Sequence, residues 1–292
     1  MIKIGLVLSG GMVKGAYQIG VLKALQEFVK KENISCISTS SVGTIAAYAY
    51  VQDRLEDFQD IWLDTEQFNV RTFLRSSVKR SNILDKVTKI VKNHKSIDMD
   101  FYTTCLDITK MNLNYINLKN IRDDQIEDYL KASISFVPVY KAIQIDNSKY
   151  VDGAVIDNIP VKPLANYDLD YIIVVHFDKD NYIYQTFENK NVIEINFDIP
   201  TSISKSLSFD QESSKDMINK GYGEAHRIFS YVFANGIESK EYVVNAINDL
   251  KQNCKYEKYN LSGDIFIDRM NIFAKKFVYN DLKQIKSADN NL

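Results

Sequence analysis

Ser41 is the residue whose surroundings best suit a nucleophile. It lies between a short apolar run and an Ala/Tyr-rich run, in the segment Thr39-Ser40-Ser41-Val42-Gly43. A glycine two residues after a serine lets a helix begin close to the preceding strand, so that the hydroxyl stands clear of the turn. The first turn of that helix also brings unpaired N–H groups and a positive dipole end near the hydroxyl. The segment therefore predicts a nucleophile on a strand-to-helix turn; the alternative is that Ser40 or Ser41 only caps the helix.

A second motif is the glycine-rich turn Gly10-Gly11-Met12-Val13-Lys14-Gly15. A strand, a glycine loop and a helix in this order aim backbone N–H groups at an anion. Nucleotide binding fits poorly, because a phosphate-binding P-loop has Ser or Thr where Gly15 follows Lys14, and the glycine spacing is not G-x-G-x-x-G. The remaining interpretation is an oxyanion hole, in which N–H groups stabilise the oxygen of a tetrahedral intermediate.

Asp152 is the candidate base. It follows a predicted hairpin about residues 146–148 and precedes Gly153. An Asp-Gly pair alone most often marks a turn; the functional interpretation is a carboxylate held by a tight turn to accept the proton of Ser41. Asn158, before Ile159-Pro160, is explained as a turn or helix-start residue without a chemical role.

His176 offers a different mechanism. It ends the apolar run at 171–176, where catalytic groups gather in α/β folds, and histidine is a better base than a carboxylate at neutral pH. A Ser–His–Asp hydrolase is therefore an alternative. A single histidine that ends a buried strand is, however, more often structural.

The surrounding elements predict how the first two motifs meet. Residues 2–8 form an apolar run typical of a buried central strand, a helical pattern follows from 16 to about 31, and a second strand ends near Thr39. If the crossover between the two strands is right-handed, as nearly all are, the glycine loop and Ser41 meet at the carboxyl edge of a parallel sheet. Ligands of open α/β sheets bind at that edge.

The rest of the chain predicts further helices and strands in one domain. Helices are expected over 54–95, with Trp62 and Phe73 as core or groove lining. Two strands surround a turn at 110–112, and a loop or short segment is expected at 203–207. The last long helix, at 213–232, is expected to be interrupted at Gly221-Tyr222-Gly223. Neither repeats nor low-complexity linkers are found, which favours one domain. The remaining predictions are a helix at 123–133, strands at 171–176 and 192–197, and polar helical decoration from about residue 240.

Composition and cysteine spacing give no indication of a nucleic-acid-binding, disulfide-rich or membrane-spanning protein. Of 292 residues, 45% are apolar and 25% charged, and the formal net charge is −2, which gives no indication of nucleic-acid binding. Three cysteines lie far apart without metal-ligand or disulfide spacing, which favours a reducing compartment. The first apolar run is too short for a signal sequence, and no stretch approaches the roughly 20 apolar residues of a spanning helix. We expect a cytoplasmic protein that meets any membrane from its surface.

The three motifs together resemble the patatin-like phospholipases, particularly the small bacterial members. The family pattern is G-G-G-x-[KR]-G, then G-x-S-x-G, then D-G-[GA]. In this chain the corresponding segments begin at Gly10, Thr39 and Asp152. Residues 16–22 and 155–161 also match the family's flanking segments, and 218–222 resemble a late helix of its bacterial members. The resemblance covers about residues 2–225.

The resemblance implies a three-layer patatin-like α/β sandwich with a mainly parallel central sheet and extra C-terminal helices. The hydrolase domain would span residues 1–235, and a helical extension over 236–292 would pack on it. Ser41 would attack an acyl ester of a lipid, and Asp152 would take its proton without a histidine. The N–H groups around Gly10, Gly11 and Met12 would hold the oxyanion. Positions that support the site in the family are Lys14, Gly15, Gly43 and Gly153.

The implied activity is that of a phospholipase A, a lysophospholipase or an esterase. The substrate would be a lipid or another acyl ester, with peripheral membrane contact and with no metal, cofactor or nucleic acid required. Two positions depart from the pattern: Met12 replaces a glycine, where a positive φ would strain a residue with a Cβ, and Thr39 replaces another, where its branch would crowd the turn. They motivate the alternative of a catalytically impaired patatin-fold protein that binds lipid.

Overall fold

A computed structural model describes residues 1–63, 68–69, 87–91, 94–137, 140–178, 187, 190–197, 208–209 and 211–257. The prediction of helices over 54–95 lies partly outside these residues. The predictions for Phe73, for 203–207 and for the chain after 257 lie wholly outside them.

Ten strands occur in the described part of the chain. They are β1 (Ile4–Leu8), β2 (Ile34–Ser40), β3 (Phe68–Asn69), β4 (Asp100–Asp107), β5 (Asn112–Asn117), β6 (Ile143–Ile145), β7 (Ser148–Asp152), β8 (Tyr171–His176), β9 (Val192–Asn196) and β10 (Ser208–Phe209). The predicted strand at 171–176 is confirmed at both ends. The hairpins predicted about 110–112 and 146–148 are confirmed as the pairs β4–β5 and β6–β7.

Eight of these strands form one sheet in the order β6-β7-β4-β2-β1-β8-β9, with β5 paired to β4 outside this path. Strands β4, β2, β1, β8 and β9 run parallel. β1 is buried throughout, as expected for an apolar strand at the centre of a parallel sheet. β3 pairs separately with β10, so a strand lies where helices alone were predicted. Two-residue strands carry no detectable periodicity, and this pairing joins segments far apart in the sequence.

Six helices of the described residues accompany the sheet, and residues 87–91 are also helical. They are α1 (Gly15–Phe28), α2 (Val42–Val51), α3 (Leu55–Leu63), α4 (Asp123–Ser133), α5 (Gln211–Val232) and α6 (Lys240–Glu257). The prediction for α4 is confirmed at both ends. Its two aspartates in the first turn and a lysine in the last suit the helix dipole.

The predicted interruption of the long helix at Gly221-Tyr222-Gly223 is wrong, because α5 is continuous. Gly221 instead allows α5 to cross α1 with the two backbones in contact. A Cβ on Gly221 would lie 2.1 Å from the carbonyl oxygen of Tyr17, and a Cβ on Gly20 would lie 2.0 Å from that of Ile218. The two glycines therefore serve helix packing rather than a break.

Helices cover one face of the sheet. Apolar side chains of all six described helices join one hydrophobic cluster with sheet residues such as Leu6, Ile173 and Ile195. On the other face, strand residues such as Val7 and Ile172 pack mainly against residues 159–169, whose only regular element is a single 3₁₀ turn, Lys162–Leu164. The predicted α/β class with a mostly parallel central sheet is confirmed. The domain boundary at residue 235 stays a prediction.

Candidate active site

Ser41 occupies the turn between β2 and α2 with φ 52° and ψ −131°. This positive φ is unfavourable for a residue with a side chain and is one of the strained conformations found at functional sites. Gly43 explains how the turn closes: a Cβ there would lie 2.6 Å from the carbonyl oxygen of Leu8 and 2.7 Å from that of Ser9. Glycine is required because α2 begins against the end of β1.

The sheet register brings Ser41 to Asp152. β5 pairs with one edge of β4 over residues 102–107, so β2 and β7 share the opposite edge. Along it Ser40 is opposite Thr104, and Asp152 is opposite Cys105. β2 is parallel to β4 and β7 is antiparallel, so their carboxyl ends meet. The residue after β2 and the last residue of β7 are therefore neighbours.

The carboxyl group of Asp152 is buried, with 2% of the residue exposed, and the hydroxyl of Ser41 lies beside it. The backbone N–H of Ala154 donates to Asp152 Oδ1 at 2.9 Å. Burial raises the pKa of Asp152 from 3.8 to about 7, and the Ser41 hydroxyl and the Ala154 N–H oppose that rise. Gly153 lets the turn approach β4, since a Cβ there would lie 2.6 Å from Thr104 Cγ2.

The glycine loop lies against Ser41. A Cβ on Gly10 would be 2.9 Å from Ser41 Cβ and 2.5 Å from Asn158 Oδ1. The N–H of Gly10 donates to the carbonyl oxygen of Asn158 at 3.3 Å. No acceptor for the N–H groups of Gly11 and Met12 is found among the described residues. These two N–H groups are the ones open to a ligand.

Lys14 and Gly15 lie at the base of the loop. Lys14 is buried, and its ammonium nitrogen lies 5.6 Å from the centroid of the Phe177 ring. A Cβ on Gly15 would meet Val42 Cγ2 at 2.5 Å and Trp62 Cζ2 at 2.9 Å, so the loop, α2 and α3 pack closely here.

Asn158 is a site residue to which the sequence interpretation gave no role. Its backbone carbonyl accepts from the N–H of Gly10, and its side-chain Nδ2 donates to Asp178 Oδ2 at 2.8 Å. The segment 157–160 also accepts from β2: Ser38 Oγ donates to the carbonyl of Pro160 at 2.6 Å, and Ser40 Oγ to that of Asp157 at 3.2 Å. One segment thus holds both the glycine loop and the strand before Ser41. The sequence signal for this role was the position of Asn158 only six residues after Asp152.

His176 has a different partner. Its side chain is fully buried in β8, and Nε2 lies 2.8 Å from Glu194 Oε1 on β9. Ser41, in contrast, lies beside Asp152. The structure therefore brings together the serine and the aspartate and pairs the histidine with a glutamate.

Met12 adopts φ 49°, the strained conformation that the missing glycine implied. We expect Met12→Gly to raise the free energy of unfolding by about 1 kcal/mol, because glycine adopts this φ without a steric cost. Thermal unfolding of the variant and wild type measures the gain. Met12→Ala is the matched control, since it keeps the Cβ and the strain. Equal stability of the two variants would mean that the positive φ of Met12 does not strain the loop.

Neither a metal cluster nor a membrane span is found in the part of the chain that the structure describes. No three or more His, Cys, Asp or Glu side chains are grouped there so as to hold a metal ion. None of the described helices is both long and apolar enough to cross a bilayer.

A serine on a strand-to-helix turn, beside a glycine loop and a buried carboxyl group, is typical of hydrolases with a serine nucleophile. The sequence model of the family described as "Patatin-like phospholipase" matches residues 6–165. The chain belongs to this family.

Similar proteins include "Lysophospholipase NTE1" of Cryptococcus neoformans, 27% identical in an alignment of length 185 that covers 59% of this chain and 11% of that protein. "Probable lipid hydrolase 463L" of Invertebrate iridescent virus 6 is 24% identical in an alignment of length 260 that covers 76% of this chain and 88% of that protein. The crystal structure of VipD from Legionella pneumophila aligns with the whole chain and 81% of its own, at 12% identity and a TM-score of 0.49. The chain thus matches only about a tenth of the NTE1 protein's length.

Proposed function

We propose that the protein is a lipid acyl hydrolase with Ser41 as nucleophile and Asp152 as general base. The observation that carries this proposal is the position of the Ser41 hydroxyl, on a strained strand-to-helix turn, beside the buried carboxyl group of Asp152. Membership of the patatin-like phospholipase family supports it. The Ser–His–Asp alternative lacks such a contact, because His176 pairs with Glu194.

In the first step, Ser41 Oγ attacks the ester carbonyl carbon while its proton moves to the Asp152 carboxylate. The N–H groups of Gly11 and Met12 stabilise the negative oxygen of the tetrahedral intermediate, and the positive end of the α2 dipole contributes. Gly10 does not donate in this scheme, because its N–H is bound to Asn158. Its role is to let the loop approach Ser41.

In the second step, protonated Asp152 returns the proton to the leaving alcohol as the ester bond breaks, which leaves an acyl group on Ser41. A water molecule then attacks the acyl carbonyl while Asp152 accepts its proton. Collapse of this second intermediate releases the fatty acid and passes the proton back to Ser41. Each cycle consumes one water and uses no metal or cofactor.

The substrate we propose is an acyl ester of a lipid: a phospholipid, a lysophospholipid or a neutral glyceride. The names of the similar proteins, a lysophospholipase and a probable lipid hydrolase, support this class. Lys14 then steadies the glycine loop, since it is buried against Phe177. Peripheral contact with a membrane surface and a cytoplasmic location stay predictions.

The alternative of an impaired lipid-binding protein rests on Met12 and Thr39. Met12 does carry backbone strain, but it retains an N–H group without an acceptor among the described residues. Thr39 is fully buried and its hydroxyl is hydrogen-bonded, so its side chain has a place beneath the turn. Neither departure removes a group that the mechanism uses.

Labelling with a fluorophosphonate, read by intact mass, tests the proposal together with hydrolysis of lysophosphatidylcholine. We expect one adduct and hydrolysis with wild type, and neither with Ser41→Ala. Ser40→Ala is the matched control, because it removes a neighbouring buried serine and leaves Ser41 to react. Folded wild type that gives no adduct and no fatty acid would contradict the proposal and favour lipid binding alone.

A further inference from the structure

The conformation of Ser41 has to be held by its neighbours. A residue with a side chain at a strained φ and ψ costs on the order of 1–3 kcal/mol and persists only where the surrounding structure fixes it. Ser41 has such a conformation, with φ 52° and ψ −131°. The groups that fix it must act on both sides of the turn, because relaxation requires β2 and α2 to move relative to each other.

A chain of buried threonine hydroxyls lies directly beneath this turn. Thr39 Oγ1 is 2.9 Å from the carbonyl oxygen of Tyr102 and 3.0 Å from Thr44 Oγ1. Thr44 Oγ1 is in turn 2.9 Å from Thr103 Oγ1. The three threonines are fully buried. They belong to β2, the first turn of α2 and β4, so the chain connects the elements before and after Ser41 to the same strand.

The direction of these hydrogen bonds follows from the number of protons. A carbonyl oxygen only accepts, so the hydroxyl of Thr39 donates to Tyr102. Each hydroxyl has one proton, so Thr44 donates to Thr39, and Thr103 donates to Thr44. Thr39 therefore accepts from Thr44 in this arrangement, and it is the only donor that this chain offers to the Tyr102 carbonyl.

We propose that Thr39 is a positioning residue that holds the Ser41 turn in its reactive conformation. The inference rests on the proposed function, and it gives a role to the position where the family pattern has glycine. A glycine would break the connection from β2 to α2 through Thr44 and the connection from β2 to β4 through the Tyr102 carbonyl. Each buried hydrogen bond is worth about 1 kcal/mol, comparable to the strain at Ser41.

The hydroxyl of Thr39 acts through Ser41 and does not touch the substrate. Its removal therefore lowers the rate at which Ser41 reacts and leaves the KM nearly unchanged. Misplacement of a reacting group by about 1 Å costs about 10²-fold in rate. An effect on folding alone would instead lower the amount of active protein and leave the rate constant of the folded fraction as it is.

The experiment measures the second-order rate constant for fluorophosphonate labelling of Ser41, together with kcat and KM, in Thr39→Val, Thr39→Ser and Thr39→Gly. Valine keeps the shape and lacks the hydroxyl, so we expect labelling and kcat about 10–100-fold below wild type with KM within about twofold. Serine keeps the hydroxyl and should stay within about threefold of wild type. Glycine should behave like valine, although it matches the family pattern.

Thr103→Val is the matched control. It removes another buried hydroxyl of the chain, but the bonds from Thr44 to Thr39 and from Thr39 to Tyr102 remain. Only the connection from Thr44 to β4 is lost in this variant, so we expect a smaller loss of labelling rate than in Thr39→Val. Wild-type rates in folded Thr39→Val, or an equal loss in Thr103→Val, would overturn the positioning role alone. Wild type that neither labels nor hydrolyses would overturn the proposed function and this inference with it.

Discussion

Asp152→Asn is expected to lower kcat for an acyl ester by about 10³-fold, within the usual contribution of a general base. The asparagine side chain has the same shape, and its Oδ1 can still accept from the N–H of Ala154, as the aspartate does. It cannot take the proton of Ser41, so nucleophilic attack loses its base. Steady-state hydrolysis of a short-chain ester by the variant and wild type measures the loss.

The raised pKa of Asp152 adds a pH signature to this result. Burial raises this pKa to about 7, and the mechanism needs the carboxylate. We therefore expect kcat/KM of wild type to rise about tenfold per pH unit below about pH 7 and to level off above it, because kcat/KM follows ionisation of the free enzyme. A flat profile between pH 5 and 8, or an Asp152→Asn variant with wild-type turnover, would contradict the assignment.

Stability gives an independent check with a defined sign. Between pH 3.8 and about 7, folded Asp152 holds a proton that an unfolded aspartate has released. The unfolding free energy of wild type therefore falls with rising pH in this window through Asp152. Asp152→Asn lacks that dependence, so its stability relative to wild type should increase from pH 4 to pH 7 and stay constant above. Thermal unfolding across this range measures the difference.

Asp157→Asn is the control carboxylate for both measurements. Its Oδ2 accepts from the hydroxyl of Tyr115 at 2.6 Å, and its contact with β2 uses the backbone carbonyl. We expect this variant to keep the pH midpoint of kcat/KM near 7. A shift of this midpoint in Asp157→Asn would mean that the titrating group is not Asp152 alone, and it would contradict the assignment.

Local patterns were sufficient for much of the fold. The strand predicted from the apolar run at 171–176 and the helix predicted at 123–133 match β8 and α4 at both ends, because the pattern that defines each lies within the element itself. The pairing of β3 with β10 depends on two distant segments and leaves no trace in either.

In the candidate site, too, the motifs could be predicted from the sequence, and the contacts between them could not. Three motifs singled out Ser41, Asp152 and the glycine loop, but their meeting depends on β2 and β7 sharing one edge of β4, which is a property of register. That Gly10 does not donate with Gly11 and Met12 was also not predictable, because its N–H is bound to Asn158, a residue distant in sequence. Likewise, crowding at Thr39 was expected, and only its neighbours Thr44 and Tyr102 explain why it fits.

Gly221→Ala is expected to destabilise the fold by about 3 kcal/mol or more, the upper part of the range for overpacked cores. The new Cβ would lie 2.1 Å from the carbonyl oxygen of Tyr17 and 2.8 Å from its carbonyl carbon. Both are backbone atoms of α1 and cannot rotate away, so α1 and α5 would have to separate. Urea unfolding measures the change in free energy.

Gly223→Ala isolates this contact, because it makes the same chemical change two residues further along α5. Apart from its chain neighbours and the backbone of α5 itself, no described atom lies within 4 Å of the Cβ position on Gly223. Only the helix propensity therefore changes, and we expect a gain of about 0.5–1 kcal/mol. The two variants should therefore differ in sign. Equal effects would mean that α1 and α5 do not cross through Gly221. Because α1 begins at Gly15, directly after the glycine loop, Gly221→Ala should also slow labelling of Ser41 in the protein that remains folded.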